Sequence, residues 1–470
     1  MFRVNGAHYV ELTGVKNHCI LRMLHMLNSL PGLDFPAVCN LDIVAKFDGG
    51  DLTSDAGLLL VKQADTKLGL LSSLTKAIVD KRQRSKVKQP VGVMLAERVL
   101  AIALGYEDAN DLNDLGKDAA LKVACNRRPN SDADLASQPT ISRFENSVTK
   151  DDLFAMSLVI ARTVISVLPH YTTEVVLDID ATVDPCHGQQ ELNFFNKHYD
   201  TNCYLPLLLH MTAPSGQQWL LGSYLRSGTA SGDKGFMGMV RIAVKLLRER
   251  FPKIRIVLRA DAGFSSRKAL EFCERQGIEY IMGYKKYSTL KKHILSIETS
   301  LRLKYGTEGD GTREYGEFEH KAVSWKKSRK LIVKGELVKE KFSSHVLLTN
   351  LMETADKNYV FYTGRGEQEN RIKELKNGLC SGRTSCQKFL ANQFRLLLHT
   401  AACVLMSAIQ QAARGTQFEK AQVTTIRLKL LKVGARVKES SRKIWFHLAE
   451  NYPYQDSWWH INQKLLQSTS

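Results

Sequence analysis

Val175-Val-Leu-Asp-Ile-Asp180 holds four apolar side chains, three of them β-branched, in six residues. A run this short and this rich in β-branched residues is predicted to be a buried strand. Working outward, the pattern changes character at about Thr173. From Leu52 to about Val167 it is helical. One helix is expected over Leu58–Lys67, capped by Thr53 or Ser54, and another over Val91–Leu104, ended by Gly105. Ser137-Gln-Pro-Thr-Ile-Ser-Arg-Phe-Glu-Asn146 should open a further helix, with Pro139 near its start and Arg143 on its first turn. Beyond the strand, Tyr204–Met211 and Trp219–Leu225 read as two more strands joined by Pro214-Ser-Gly216. Phe236–Phe251 is an amphipathic helix, Ile254–Ala260 a strand, Ser265–Gln276 a helix and Tyr280–Gly283 a strand. The order β-β-β-α-β-α-β implies an α/β fold with a mixed sheet covered by helices. Tyr315–Thr349 is β-rich and basic. Gln368–Asn377 and Gln393–Ala413 are helical. Thr424–Val437, where Ile426, Leu428 and Leu430 alternate with Arg427 and Lys429, reads as a strand.

Charge narrows the function. Sixty-six Lys and Arg oppose 48 Asp and Glu, a net of +18 over 470 residues. Between Arg371 and Lys443 stand fifteen basic residues and three Glu, a net of +12. Such a chain favours a polyanionic partner. The nine cysteines are scattered without a Cys-x-x-Cys pair, which disfavours structural zinc and a disulfide framework and fits a reducing cytoplasm. The apolar stretches Met156–Leu168 and Phe394–Ala413 are interrupted by Arg162 and by Arg395, His399 and Gln410, so they read as core helices and no membrane is expected. The first twenty residues, with Glu11, Lys16 and His18, lack an export signal. Ser227–Gly235 does not end as a phosphate-binding loop, and Asp184, Cys186 and His187 match no common zinc spacing.

Three places carry chemistry. Asp178 and Asp180, two apart on a strand, share one face. Asp261 ends a second strand, the position where ligands gather in α/β sheets, although a strand-end Asp is also an ordinary helix cap. Tyr362-Thr-Gly-Arg-Gly-Glu-Gln-Glu-Asn-Arg-Ile-Lys-Glu-Leu-Lys376 has the form Y-x2-R-x3-E-x6-K. On a helix, Glu369, Lys373 and Lys376 fall on one face, an arrangement that also suits an exposed salt-bridged helix.

This Y-R-E-K pattern resembles the large group of DDE insertion-sequence transposases, and within it the chain is similar to insertion-sequence family 1380. The resemblance runs from about residue 40 to 455. It is carried by Leu52-Thr-Ser-Asp-Ala-Gly57, Ala103-Leu-Gly-Tyr-Glu-Asp-Ala-Asn110, Ala136-Ser-Gln-Pro-Thr-Ile-Ser-Arg143, Leu177-Asp-Ile-Asp-Ala-Thr182, Leu258-Arg-Ala-Asp-Ala-Gly-Phe264 and Leu428-Lys-Leu-Leu-Lys-Val-Gly-Ala-Arg436. It implies a bacterial, DNA-associated transposase with an RNase H-like catalytic core (171–288 and 351–415) interrupted by a β-rich insertion (289–350). A helical DNA-binding domain (46–170), a basic C-terminal region (416–470) and an unassigned extension (1–45) complete the expected layout. Asp180, with Asp178 as rival, Asp261 and Glu369 would hold two Mg²⁺ ions, or Mn²⁺ in their place, and cut and rejoin DNA at the terminal repeats. Tyr362, Arg365, Lys373 and Lys376 would contact DNA, and Trp325 would stack on a flipped base. A homodimer on double-stranded repeat and target DNA is expected. The alternatives are an RNase H-like nuclease or resolvase, and a decayed copy that binds DNA without cutting.

Overall fold

The computed structural model describes residues 33–308 and 310–467. Eight strands form its central sheet: β1 (Glu174–Ala181), β2 (Leu207–Thr212), β3 (Gln218–Tyr224), β4 (Arg255–Ala260), β5 (Glu279–Gly283), β6 (Arg313–His320), β7 (Arg329–Val338) and β8 (Lys341–Thr349). Their order across the sheet is β6-β7-β8-β5-β4-β1-β2-β3. β1, β4 and β5 are mutually parallel and the other pairings are antiparallel, so the expected mixed sheet is found. The chain crosses from β3 to β4 through the helix Phe236–Arg250, and from β4 to β5 through Arg267–Arg275. Parallel central strands are covered on both faces, which explains the apolar runs Val175–Leu177 in β1 and Ile256–Leu258 in β4. The segment Tyr315–Thr349 supplies β6, β7 and β8. Because β8 pairs with β5, these strands extend the central sheet, and the helix Lys291–Glu308 packs against β7.

Helices of the N-terminal third lie on the same core. One contiguous cluster of buried apolar side chains runs from Leu58 to Leu465. At its centre is Phe389–Ala412, which is long and apolar enough to cross a membrane by length and composition but is mostly buried in the protein. It packs against Val91–Leu104, Lys150–Ser166 and β3. The expected extension 1–45 lies mainly outside the described residues. Its described end is a hairpin of Leu33–Val38 and Leu41–Ala45.

Two local expectations are corrected. The helix Leu58–Leu68 starts at Gly57 with no side-chain cap. Thr53 is diverted into a short strand opposite Ala435, and its hydroxyl accepts from the Asp55 amide. The strand expected over Thr424–Val437 exists only at its end, as Ala435–Glu439. Before it come a helical turn, Val423–Ile426, and a wider π-helical turn, Arg427–Leu431. The buried residues are Val423, Ile426, Leu430 and Leu431, spaced by helix turns, while Leu428 is exposed. The alternation that suggested a strand counted Leu428 as a core residue.

Three of the stretches that carried the family resemblance converge on one joint. Asp55 is buried, ion-paired to Lys432 at 2.6 Å, and accepts from the Tyr106 hydroxyl at 3.0 Å. Lys432 also lies over the Tyr106 ring, 3.9 Å from its centre. Arg427 donates to the carbonyls of Ala103 and Gly378. The amides of Ala56 and Gly57 donate to Val433 and Leu431. Residues near both ends of the chain are thereby locked to the helix Val91–Leu104.

Candidate active site

β1 and β4 are parallel neighbours, so their C-terminal ends lie at the same edge of the sheet. Asp180 is the penultimate residue of β1, and Asp261 follows β4 directly. Asp261 also caps the turn after it, its carboxylate accepting from the Gly263 amide at 2.8 Å. The helix Ala355–Thr363 ends at Gly364 beside this edge, and a second helix, Gly366–Lys373, follows at once. That second helix carries Glu369, which is exposed.

Asp180 is 9 % exposed. One of its oxygens accepts from the Ala181 amide, and the other pairs with Arg365 Nη2 at 2.6 Å. Burial pushes the Asp180 carboxyl up to about 6. Arg365 draws it down, and the negative charges of Asp261 and Glu369 raise it again. The three carboxylates therefore act on one another, as in a site short of positive charge. Tyr362 is buried, and burial with the charges of Asp261 and Asp180 raises its phenol. A Cβ placed on Gly283 would stand 3.2 Å from the Tyr362 hydroxyl and 2.8 Å from the Ala262 amide. Glycine here lets β5 approach the turn after Asp261.

Asp178, the rival on the same strand, is fully buried and differently engaged. Both of its oxygens are held by the Arg259 fork, at 2.7 and 2.8 Å. Gln368, also fully buried, donates to the Asp178 carbonyl at 2.8 Å and stands 3.3 Å from His210 Nδ1. Burial holds His210 down to about 3, so its imidazole is neutral.

The remaining sequence candidates are placed as follows. Lys376 lies in a π-helical turn, Glu374–Gly378, and donates to the Val183 carbonyl. Lys373 is exposed. Trp325 is buried at 5 % exposure, its ring packed by Tyr284 and His320 and covered by Arg329 at 4.8 Å. A base would reach this indole only by displacing that cluster. Among the described residues, no three His, Cys, Asp or Glu side chains stand close enough to hold a metal ion as they are. The donor set nevertheless suits a hard divalent cation, being three carboxylates whose mutual repulsion such a cation would offset. Arg365 at present supplies the positive charge.

A family model described as the transposase DDE domain, group 1, matches residues 35–470. The chain belongs to this family. No curated protein matches it. In this transposase Asp180 and Asp261 stand at adjacent strand ends, and the charge of Glu369, on the helix Gly366–Lys373, reaches Asp180.

Sequence reasoning missed four residues around the candidate site. Arg259, Gln368 and His210 brace it from beneath. Arg226, 2 % exposed, donates to the carbonyls of Leu205, Ser231 and Gly232 and fixes the loop before Phe236. For Arg259 a signal existed, since a charged residue inside an apolar strand needs a buried partner. Asp184 is a fifth feature of another kind. It is 1 % exposed, and neither carboxylate oxygen has a hydrogen-bond partner among the described residues. Burial pushes its carboxyl up to about 7, partly offset by Lys376. Its folded value lies above its unfolded one, so it costs nothing below about pH 4 and destabilises progressively as the pH rises through about 7. Wild type should therefore lose stability relative to Asp184→Asn between those limits, on the order of 3 kcal/mol. Denaturant melts at pH 4.5 and 8 check this, and parallel pH profiles for the two proteins would contradict it.

Proposed function

We propose that this transposase binds the terminal inverted repeats of an insertion sequence of family 1380 type, cleaves DNA at the element ends and joins them to target DNA. The single observation that carries the reading is the meeting of Asp180, Asp261 and the Arg365–Glu369 helix start at one sheet edge. The strand order β3-β2-β1-β4-β5, with the acidic residues on the two central strands, supports an RNase H-like core. On this reading residues 171–288 and 351–415 form that core, 289–350 the insertion, 46–170 a repeat-recognition domain, and 416–470 a further DNA-binding region.

Asp180, Asp261 and Glu369 would hold the divalent metal, Mg²⁺ or Mn²⁺, as two ions. Bound there, the metal supplies Lewis-acid activation of the phosphate and of the attacking oxygen. The protein's own groups do the rest. Arg365 exchanges the Asp180 carboxylate for a DNA phosphate, trading one charge-assisted bond for another and freeing Asp180. Tyr362 offers its hydroxyl beside Asp261, and Lys373 and Lys376 hold phosphates flanking the cut. Two ends must be processed together, so the active species is a homodimer with one site per end.

DNA contact extends to the C-terminal hairpin of Ala435–Glu439 and Ile444–Leu448. Its register pairs Arg436 with His447 and Lys438 with Trp445, all on one face. Trp445 is half exposed and Lys443 lies over its ring at 5.2 Å. Basic residues interleaved with an exposed aromatic suit a nucleic-acid surface. Titration of repeat DNA at several salt concentrations should give a log–log slope of about −5 or steeper. In Arg436→Glu/Lys438→Glu the slope should become shallower by about 2. Binding that is independent of salt would count against the reading.

A further inference from the structure

We propose that Asp178 and Arg259 form a positioning clamp, one that fixes the turn delivering Arg365 and Glu369 to Asp180 and Asp261. The proposal rests on the active-site reading above and assigns the pair beneath it. Asp178 precedes Asp180 by two residues on β1, and Arg259 precedes Asp261 by two on β4. Alternation puts each on the same face as the carboxylate above it. Asp178 and Arg259 are direct partners in the β1–β4 register, so the ion pair is one rung below the site.

The guanidinium reaches further than this pair. Its Nε and Nη2 hold both Asp178 oxygens, and its Nη1 donates to the Phe361 carbonyl at 2.8 Å. The Phe361 ring lies against the same guanidinium, 5.0 Å from centre to Cζ. Gly364 closes the turn over it, for a Cβ there would stand 2.5 Å from Nη1. Residues 361–365 are the junction between the helix that carries Tyr362 and the one that carries Glu369. Gln368 ties the second helix to the same strand, through the Asp178 carbonyl. A planar fork with donors in three directions can hold strand, partner and turn at once, which a lysine ammonium cannot do in the same geometry.

A buried ion pair is a weak source of stability, and apolar replacements of similar volume are often neutral. Stability and positioning can therefore be separated. The test compares wild type with Arg259→Lys and with the double variant Asp178→Leu/Arg259→Met in the full-length protein. Three readouts are taken: thermal melting, hydrogen exchange of amides 361–373, and metal-dependent nicking of repeat DNA. The double variant should melt within a few degrees of wild type. Its 361–373 amides should exchange faster, and nicking should fall about 100-fold with repeat binding unchanged. Arg259→Lys should show the same faster exchange and a smaller loss of nicking. Wild-type exchange and nicking in a folded double variant would overturn the clamp. If wild type itself does not nick, the active-site reading falls, and exchange alone then decides the clamp.

Discussion

Asp261→Ala and Glu369→Ala should each lower strand cleavage by about a thousandfold, roughly 4 kcal/mol of barrier, without weakening repeat binding. The expectation follows from charge. Asp180 is raised to about 6 by burial and by Asp261 and Glu369, so the three carboxylates form one electrostatic unit. On the proposed reading, removing either neighbour takes away a ligand from a set of three, and a site that would hold metal by charge and geometry loses both. DNA affinity should respond in the opposite sense. Each carboxylate repels the phosphate backbone, so its removal leaves binding unchanged or tighter. Gel-shift and nicking assays on the same repeat duplex, with Mg²⁺ or Mn²⁺, separate the two effects. Full cleavage by either variant would remove that residue from the site. A parallel loss of binding would point to misfolding, which melting curves of the same preparations would register.

The second large effect concerns folding. Gly57→Ala should abolish soluble expression or lower the melting temperature by several degrees. A Cβ on Gly57 would stand 2.0 Å from the Leu430 carbonyl oxygen and 2.4 Å from the Leu431 Cα. These are backbone atoms and cannot rotate away. The strand of contacts cannot slide either, because the Ala56 and Gly57 amides are bonded to Val433 and Leu431. Separation would also loosen the buried Asp55–Lys432 pair beside it. A cost of roughly 3 kcal/mol or more is expected. Gly238→Ala is the control: among the described residues nothing beyond its own helix lies within 4 Å of its Cβ position, inside the helix Phe236–Arg250, so stability should hold or rise slightly. Equal melting of Gly57→Ala and wild type would mean that the joint is not held as described.

The sheet was legible because its central strands obey simple rules. Val175–Leu177 in β1 and Ile256–Leu258 in β4 are apolar runs with an acidic residue close behind each, so both Asp180 and Asp261 could be placed at strand ends before any coordinates. Glu369 could be placed on a helix by spacing alone. What escaped is what depends on partners remote in sequence. The Asp178–Arg259 pair joins residues 81 apart, and it is this pair that separates Asp178 from Asp180, which share a face and cannot be told apart by alternation. The stacking expected of Trp325 rests on its neighbours in sequence, Lys326 and Lys327, which do not show that Tyr284, His320 and Arg329 close around its ring. Thr424–Val437 misled because Leu428 is an exposed leucine. The short motifs carried a second lesson. Leu52–Gly57, Ala103–Tyr106 and Leu428–Arg436 meet at a structural joint, so resemblance in those stretches speaks for the fold.

The most direct measurement is to incubate the full-length protein with a duplex carrying the inverted repeat of its element and flanking DNA, with Mg²⁺ or Mn²⁺, and to map the new 3′ ends. A metal-dependent cut at the repeat boundary, absent when the metal is chelated and absent on a scrambled repeat, is the expected result. Tight repeat binding with no cut under any metal, or cutting at random positions, would contradict the account.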